Sequence, residues 1–169
     1  MHGDYVTDIS EMIRDHFAVF FLIIALLCAA ADIILFGTAV PEAVLVYILL
    51  FNIGVQGILA GFMHWYSPAA DKIARKIGWQ AGSPFQKEVA AADAAFGVLG
   101  VLSFFIRDNF LVATVIGASV MLFFMGIGHV LDIRNSRNIS PYNAGSVVYF
   151  DLLLPVAMIV LLVFWKMGY

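Results

Sequence analysis

The chain has 169 residues, of which 63% are hydrophobic and 12% charged, and its formal net charge is -3. A soluble domain is about 45–50% apolar and about 25% charged, so a water-facing globular surface is excluded, and the acidic balance argues against a nucleic-acid partner, which requires a basic face. The length suits one domain.

The first fifteen residues hold Asp4, Asp8, Glu11 and Asp15 against one basic residue, Arg14. A secretory leader begins with a positive segment, so no cleavable signal peptide is expected. Tyr5, Ile9, Met12 and Ile13 form an apolar stripe, which suits a segment lying on the membrane surface or extending the first span.

Crossing the hydrocarbon takes about 20 apolar residues as a helix. Five runs qualify, and they predict spans over about 17–36, 43–62, 86–106, 110–133 and 146–165. Backbone polar groups in hydrocarbon must bond within their own segment, so each run is expected to be a helix. The predicted fold class is therefore all-α, a polytopic membrane helix bundle forming a single domain over 1–169. The connection after the second span carries Ile73 and Ile77 on one side and Lys72, Arg75 and Lys76 on the other. That pattern predicts a short interfacial helix over about 69–79, with Trp79 at headgroup depth. Gly57, Gly61, Gly97, Gly100, Gly126 and Gly128 read as points of close helix approach inside the bundle. Cys28 is the only cysteine and reads as a small hydrophobe.

Orientation follows the basic residues. Arg14, Lys72, Arg75, Lys76, Lys87, Arg134 and Arg137 fall on one side of a five-span chain, and Arg107 and Lys166 on the other. The expected location is a cell membrane, multi-pass, with the N-terminus cytoplasmic and the C-terminus outside. Membrane lipid is then the expected partner. Association into a homo-oligomer and the identity of any small-molecule or ion substrate stay open.

Ionisable residues at membrane depth are costly and face a protein interior or water. His64, Glu88, Asp93, His129, Asp132 and Asp151 all fall in the cytoplasmic third, on four different spans. Asp32 alone lies near the outer face. His129 and Asp132 share a helix face by their i, i+3 spacing. Imidazole with carboxylate suits Zn, Fe or Mn. The expected site is therefore a divalent metal bound by Glu88, His129, Asp132, Asp151 and His64, with Gln86, Asn143 and Asp93 orienting the ligands. The alternatives are proton exchange along Asp93 and Asp151 in a small proton-coupled transporter, and a structural core of self-paired polar groups. Asn52 and Gln56, four apart, read as hydrogen-bonding residues between helices. Carboxylates around His64 and His129 disfavour haem, and no nucleotide loop or catalytic motif occurs, so no reaction is assigned.

Gly78-Trp79, then Gly82-Ser83-Pro84-Phe85-Gln86-x-Glu88-Val89, then Gly128-His129-x-x-Asp132, Pro141-x-Asn143-Ala144-Gly145 and Asp151 together resemble a family of small prokaryotic membrane proteins known as a domain of unknown function. The likeness runs over roughly residues 60 to 165. Asp93 stands where that family usually carries an apolar residue. The resemblance implies the membrane class and these positions, and no activity.

Overall fold

Helix α2 (Val40–Trp65) organises the molecule, because three other long helices pack on it. A computed structural model describes residues 16–169; the expected apolar stripe of Tyr5, Ile9, Met12 and Ile13 lies outside the described residues. Helix α1 (Phe17–Phe36) stops at Gly37, whose positive φ of 71° turns the chain while its N–H bonds Ile33 O. A glycine tolerates this left-handed geometry without a Cβ clash. Helix α2 begins with Pro41 in its first turn, where the missing N–H has no cost. It continues through a π-helical stretch, Leu49–Val55, and resumes α-helical geometry to Trp65.

Helix α3 (Ser67–Ile77) is short and amphipathic, with Ala70 and Ala74 buried and Lys72 and Arg75 exposed. It ends at Gly78, φ 88°. A Cβ there would meet Ser140 Oγ at 2.7 Å and Asn138 Oδ1 at 2.8 Å, so glycine serves both the turn and the contact. The sequence-based helix over 69–79 is thus displaced towards its N-terminus, and Trp79 sits beyond it. Helix α4 (Phe85–Phe105) follows Pro84. Helix α5 (Asn109–Ser136) is capped by Asp108, whose side chain accepts from Phe110 N at 3.0 Å. A single turn, α6 (Pro141–Ala144), leads into α7 (Ser146–Lys166), which carries Pro155 inside it.

The result is an all-α bundle in which α1, α2, α4, α5 and α7 are long and apolar enough to cross a membrane. Helix α2 packs on α1, α4 and α7, while α5 pairs with α7. Leu45, Leu49, Leu111, Val115 and Met158 are fully buried where α2, α5 and α7 meet. Outward-facing Ile34, Phe36, Phe124 and Leu153 are largely exposed, the surface expected against lipid rather than water. The α2–α4 contact is close. A Cβ on Gly100 would lie 2.6 Å from both Gly54 N and Leu49 O, and one on Gly97 would lie 2.6 Å from Ile58 N. Gly61 faces Ala90 and Ala94 in the same way. The small residues in these two spans therefore serve packing within the chain. Gly126 abuts Leu152 and Asp151 on α7, but Gly128 faces open space, so the expectation of a close approach there is corrected.

Candidate functional site

The polar side chains collect at the end of the bundle that carries α3, in two His–carboxylate pairs. The first joins α2 to α4. His64 lies one residue before the end of α2, and Asp93 is two turns into α4. Their Nδ1 and Oδ2 atoms are 2.8 Å apart, and both side chains are mostly buried. The second pair joins α5 to α7. His129 Nε2 faces Asp151 Oδ2 at 3.8 Å, with 8% and 13% of the side chains exposed. Among the described residues, neither carboxylate is paired with a lysine or arginine.

The tautomer of His129 follows from its neighbours. Asn143 Nδ2 donates to Asn138 O at 2.8 Å, which turns Asn143 Oδ1 towards His129 Nδ1 at 2.7 Å. An amide oxygen only accepts, so Nδ1 carries the hydrogen. Nε2 is left facing Asp151 as a lone pair in the neutral ring, and as a second N–H in the imidazolium. Asn143 is fully buried, so this orientation is fixed by packing as well as bonding. The indole of Trp79 stacks on the His129 ring, with centroids 5.5 Å apart and an interplanar angle of 11°. An aromatic face favours a cationic partner, which suits a histidine that takes up a proton.

Helix α7 adds a backbone feature. Pro155 has no N–H, so the carbonyl four residues earlier loses its helical donor. That residue is Asp151. The same position therefore presents a carboxylate and a carbonyl released from the helix ladder.

Other expected site residues have different partners. Asp132 Oδ2 accepts from Trp79 Nε1 at 2.9 Å and from Asn138 Nδ2 at 2.7 Å. It ties the end of α5 to the segment after α3. Glu88 is exposed in the first turn of α4, where a carboxylate interacts well with the helix dipole. Gln86 donates to Asp71 Oδ1 at 3.3 Å, and Gly82 N donates to the same atom at 2.9 Å. Gln86 thus fastens the α3–α4 connection and does not orient His129 or Asp151. The expected gathering of Glu88, His129, Asp132, Asp151 and His64 around one ion is absent: among the described residues, no group of three or more His, Cys, Asp or Glu side chains is placed to hold a metal. The physical reason is competition. His64 is turned to Asp93, Asp132 to Trp79 and Asn138, and Glu88 to solvent. Asn143 bonds His129 Nδ1 at 2.7 Å.

Two residues were absent from the expected site. Asn138 bonds Asp132 and, through Nδ2, Ile77 O at 2.8 Å, and its own carbonyl holds Asn143. No sequence pattern marked it; it follows Arg137, whose φ of 53° ends α5. Trp79 read as an interfacial anchor; its half-exposed ring also covers His129.

Deeper in the bundle, Asn52 is 5% exposed and sits in the π-helical stretch of α2. Its Nδ2 donates to Ala18 O on α1 at 3.0 Å and to Gln56 Oε1 at 3.3 Å. The expected interhelical bond is therefore present. Asn52, Gln56 and Asp93 line a cavity of about 80 Å³ between α2, α4 and α5.

Together these features define a class: an all-α bundle of membrane-length helices with buried His–carboxylate pairs towards one end. The chain belongs to DUF6790, a family of unknown function whose model matches residues 15–168. No curated protein matches the chain at the threshold applied, and no solved structure does.

Proposed function

We propose that this protein is a small membrane carrier that exchanges protons at two His–Asp pairs, His64–Asp93 and His129–Asp151. The observation that carries the reading is the pairing itself. Two carboxylates at membrane depth are each matched by a histidine and by no permanent cation among the described residues. A carboxylate buried beside lysine or arginine stays charged, whereas one buried beside histidine forms a pair whose total charge changes as protons arrive and leave. Nε2 of His129 is the atom that gains or loses the proton, because Asn143 holds the hydrogen on Nδ1. Orientation belongs to the same reading. The excess of Lys and Arg at the α3 end puts that end, and the N-terminus, in the cytoplasm.

The test is a flux assay. The protein is reconstituted in liposomes loaded with a pH-sensitive dye, a pH gradient is imposed, and Na+, K+, Mn2+ or Zn2+ is added in turn. At least one ion is expected to drive a pH change several-fold above protein-free liposomes, and Asp151→Asn is expected to abolish it. If no ion produces a pH change, the paired groups are a structural polar core and the carrier reading fails.

A divalent metal at His129 and Asp151 is the second reading, favoured by the fixed tautomer that turns Nε2 towards a carboxylate. Imidazole with carboxylate would take Zn, Fe or Mn, and water would have to complete the coordination. Elemental analysis of protein purified without a metal column, beside His129→Ala and Asp151→Asn, decides it. Near-stoichiometric metal lost in both folded variants supports this reading, and none in the parent after incubation with excess ion removes it.

A further inference from the structure

The cavity between α2, α4 and α5 is mostly apolar but carries three polar side chains. Its polar lining consists of Asn52, Gln56 and Asp93, with Phe96, Ala118 and Met121 among the apolar remainder. It holds one carboxylate and no lysine or arginine. The Asn52 oxygen is buried without a hydrogen-bond partner among the described residues. That is unusual, because most buried polar atoms are bonded, and leaving one unmet costs about 1–3 kcal/mol. The Asn52 amide cannot relieve this by turning over. Its nitrogen already serves two oxygens, Ala18 O and Gln56 Oε1, and rotation would set oxygen against oxygen. The residue also lies in a π-helical stretch, which is less stable than α-helix and is often found at functional positions.

We propose that this cavity binds one small monovalent cation, with Na+ as the reference ion, through the Asn52 side-chain oxygen and the Asp93 carboxylate. The donors available are oxygens, which suit hard cations rather than zinc or copper. One carboxylate, shared with His64, matches a single positive charge better than a divalent ion, which in an all-protein site takes six to eight oxygens in the case of calcium. A cavity of about 80 Å³ exceeds the space one water needs several times over, so an ion enters with water completing its shell. Asp93 lies on both the cavity wall and the His64 pair. The site therefore meets the proton-exchange groups at one carboxylate. The inference rests on the carrier reading for its purpose, since it supplies the ion that moves against the proton.

The experiment is equilibrium binding of radioactive 22Na+ to detergent-purified protein, in choline chloride to hold ionic strength constant. The parent is expected to bind about one Na+ per chain, displaced by unlabelled NaCl and not by choline. Asp93→Asn and Asn52→Leu are each expected to weaken binding by at least about tenfold, a change of about 1.4 kcal/mol. Asp93→Asn is nearly isosteric, so it carries the test if Asn52→Leu does not fold. Absence of saturable 22Na+ binding in the parent overturns the proposal. So does binding that Asp93→Asn leaves unchanged. No gradient is involved, so a failure here is distinguishable from a failure of proton flux in liposomes.

Discussion

Replacing Asn143 by alanine tests how His129 is held. Asn143 is fully buried and makes two hydrogen bonds, accepting from His129 Nδ1 at 2.7 Å and donating to Asn138 O at 2.8 Å. Each such bond contributes about 0.5–1.5 kcal/mol net, and a buried donor left without a partner costs about 1–3 kcal/mol. His129 has one escape. Moving its hydrogen from Nδ1 to Nε2 points that hydrogen at the Asp151 carboxylate, 3.8 Å away. Asn143→Ala is therefore expected to lose about 1–3 kcal/mol of stability, the sum of the two bonds, and to switch the His129 tautomer. Stability is read from equilibrium unfolding in detergent. The tautomer is read from 15N shifts of histidine-labelled protein, a tractable spectrum because the chain has four histidines. A loss below about 0.5 kcal/mol, or an unchanged Nδ1–H signature, would refute the assignment of the ring.

Four other outcomes follow from the packing and the bonds. Gly100→Ala is expected to destabilise by about 1–3 kcal/mol or more, because its new Cβ meets backbone rather than a side chain that can turn away. Gly128→Ala, facing open space on a helix, is expected to gain up to about 1 kcal/mol; thermal denaturation of the two variants side by side checks both signs. Trp79→Phe keeps a ring over His129 but removes the donor to Asp132. A cost of about 0.5–1.5 kcal/mol is expected, with a further loss in Trp79→Ala, measured by unfolding. Arg107 and Glu42 pair at 3.2 Å with side chains 39% and 28% exposed. A double-mutant cycle on them is expected to give a coupling below about 1 kcal/mol, and a value above about 2 kcal/mol would contradict that.

The membrane-length helices were legible because hydropathy is a local property. The sequence could not mark their ends. The second span reads as 43–62 from its apolar run, yet the helix extends from Val40 to Trp65, since Glu42 and His64 continue the helix where its ends meet polar surroundings. The π-helical stretch left no trace either. Leu49-Leu50-Phe51 reads as ordinary helix, and the departure is visible only once Gly54 and Gly100 are seen in backbone contact. At the site, depth alone brought His129, Asn143 and Asp151 into one neighbourhood. Depth did not reveal which polar atoms were already engaged. Asp132 looked available until Trp79 and Asn138 took its oxygen, and His64 found Asp93, 29 positions away. Pair choice depends on the rotation of each helix about its axis, which an odd or even spacing in one chain segment does not set.

The fastening of α3 has a mechanical consequence. Asn138 grips Ile77 O, Lys76 meets Tyr142, and Trp79 lies on His129, so the short helix and the turn before α7 move as one piece. The same asparagine that holds the end of α3 also holds Asn143, and Asn143 bonds His129, so the surface helix and the buried ring hang on one chain of bonds. An amphipathic helix is thus connected to a buried histidine by two residues, Gly78 and Trp79.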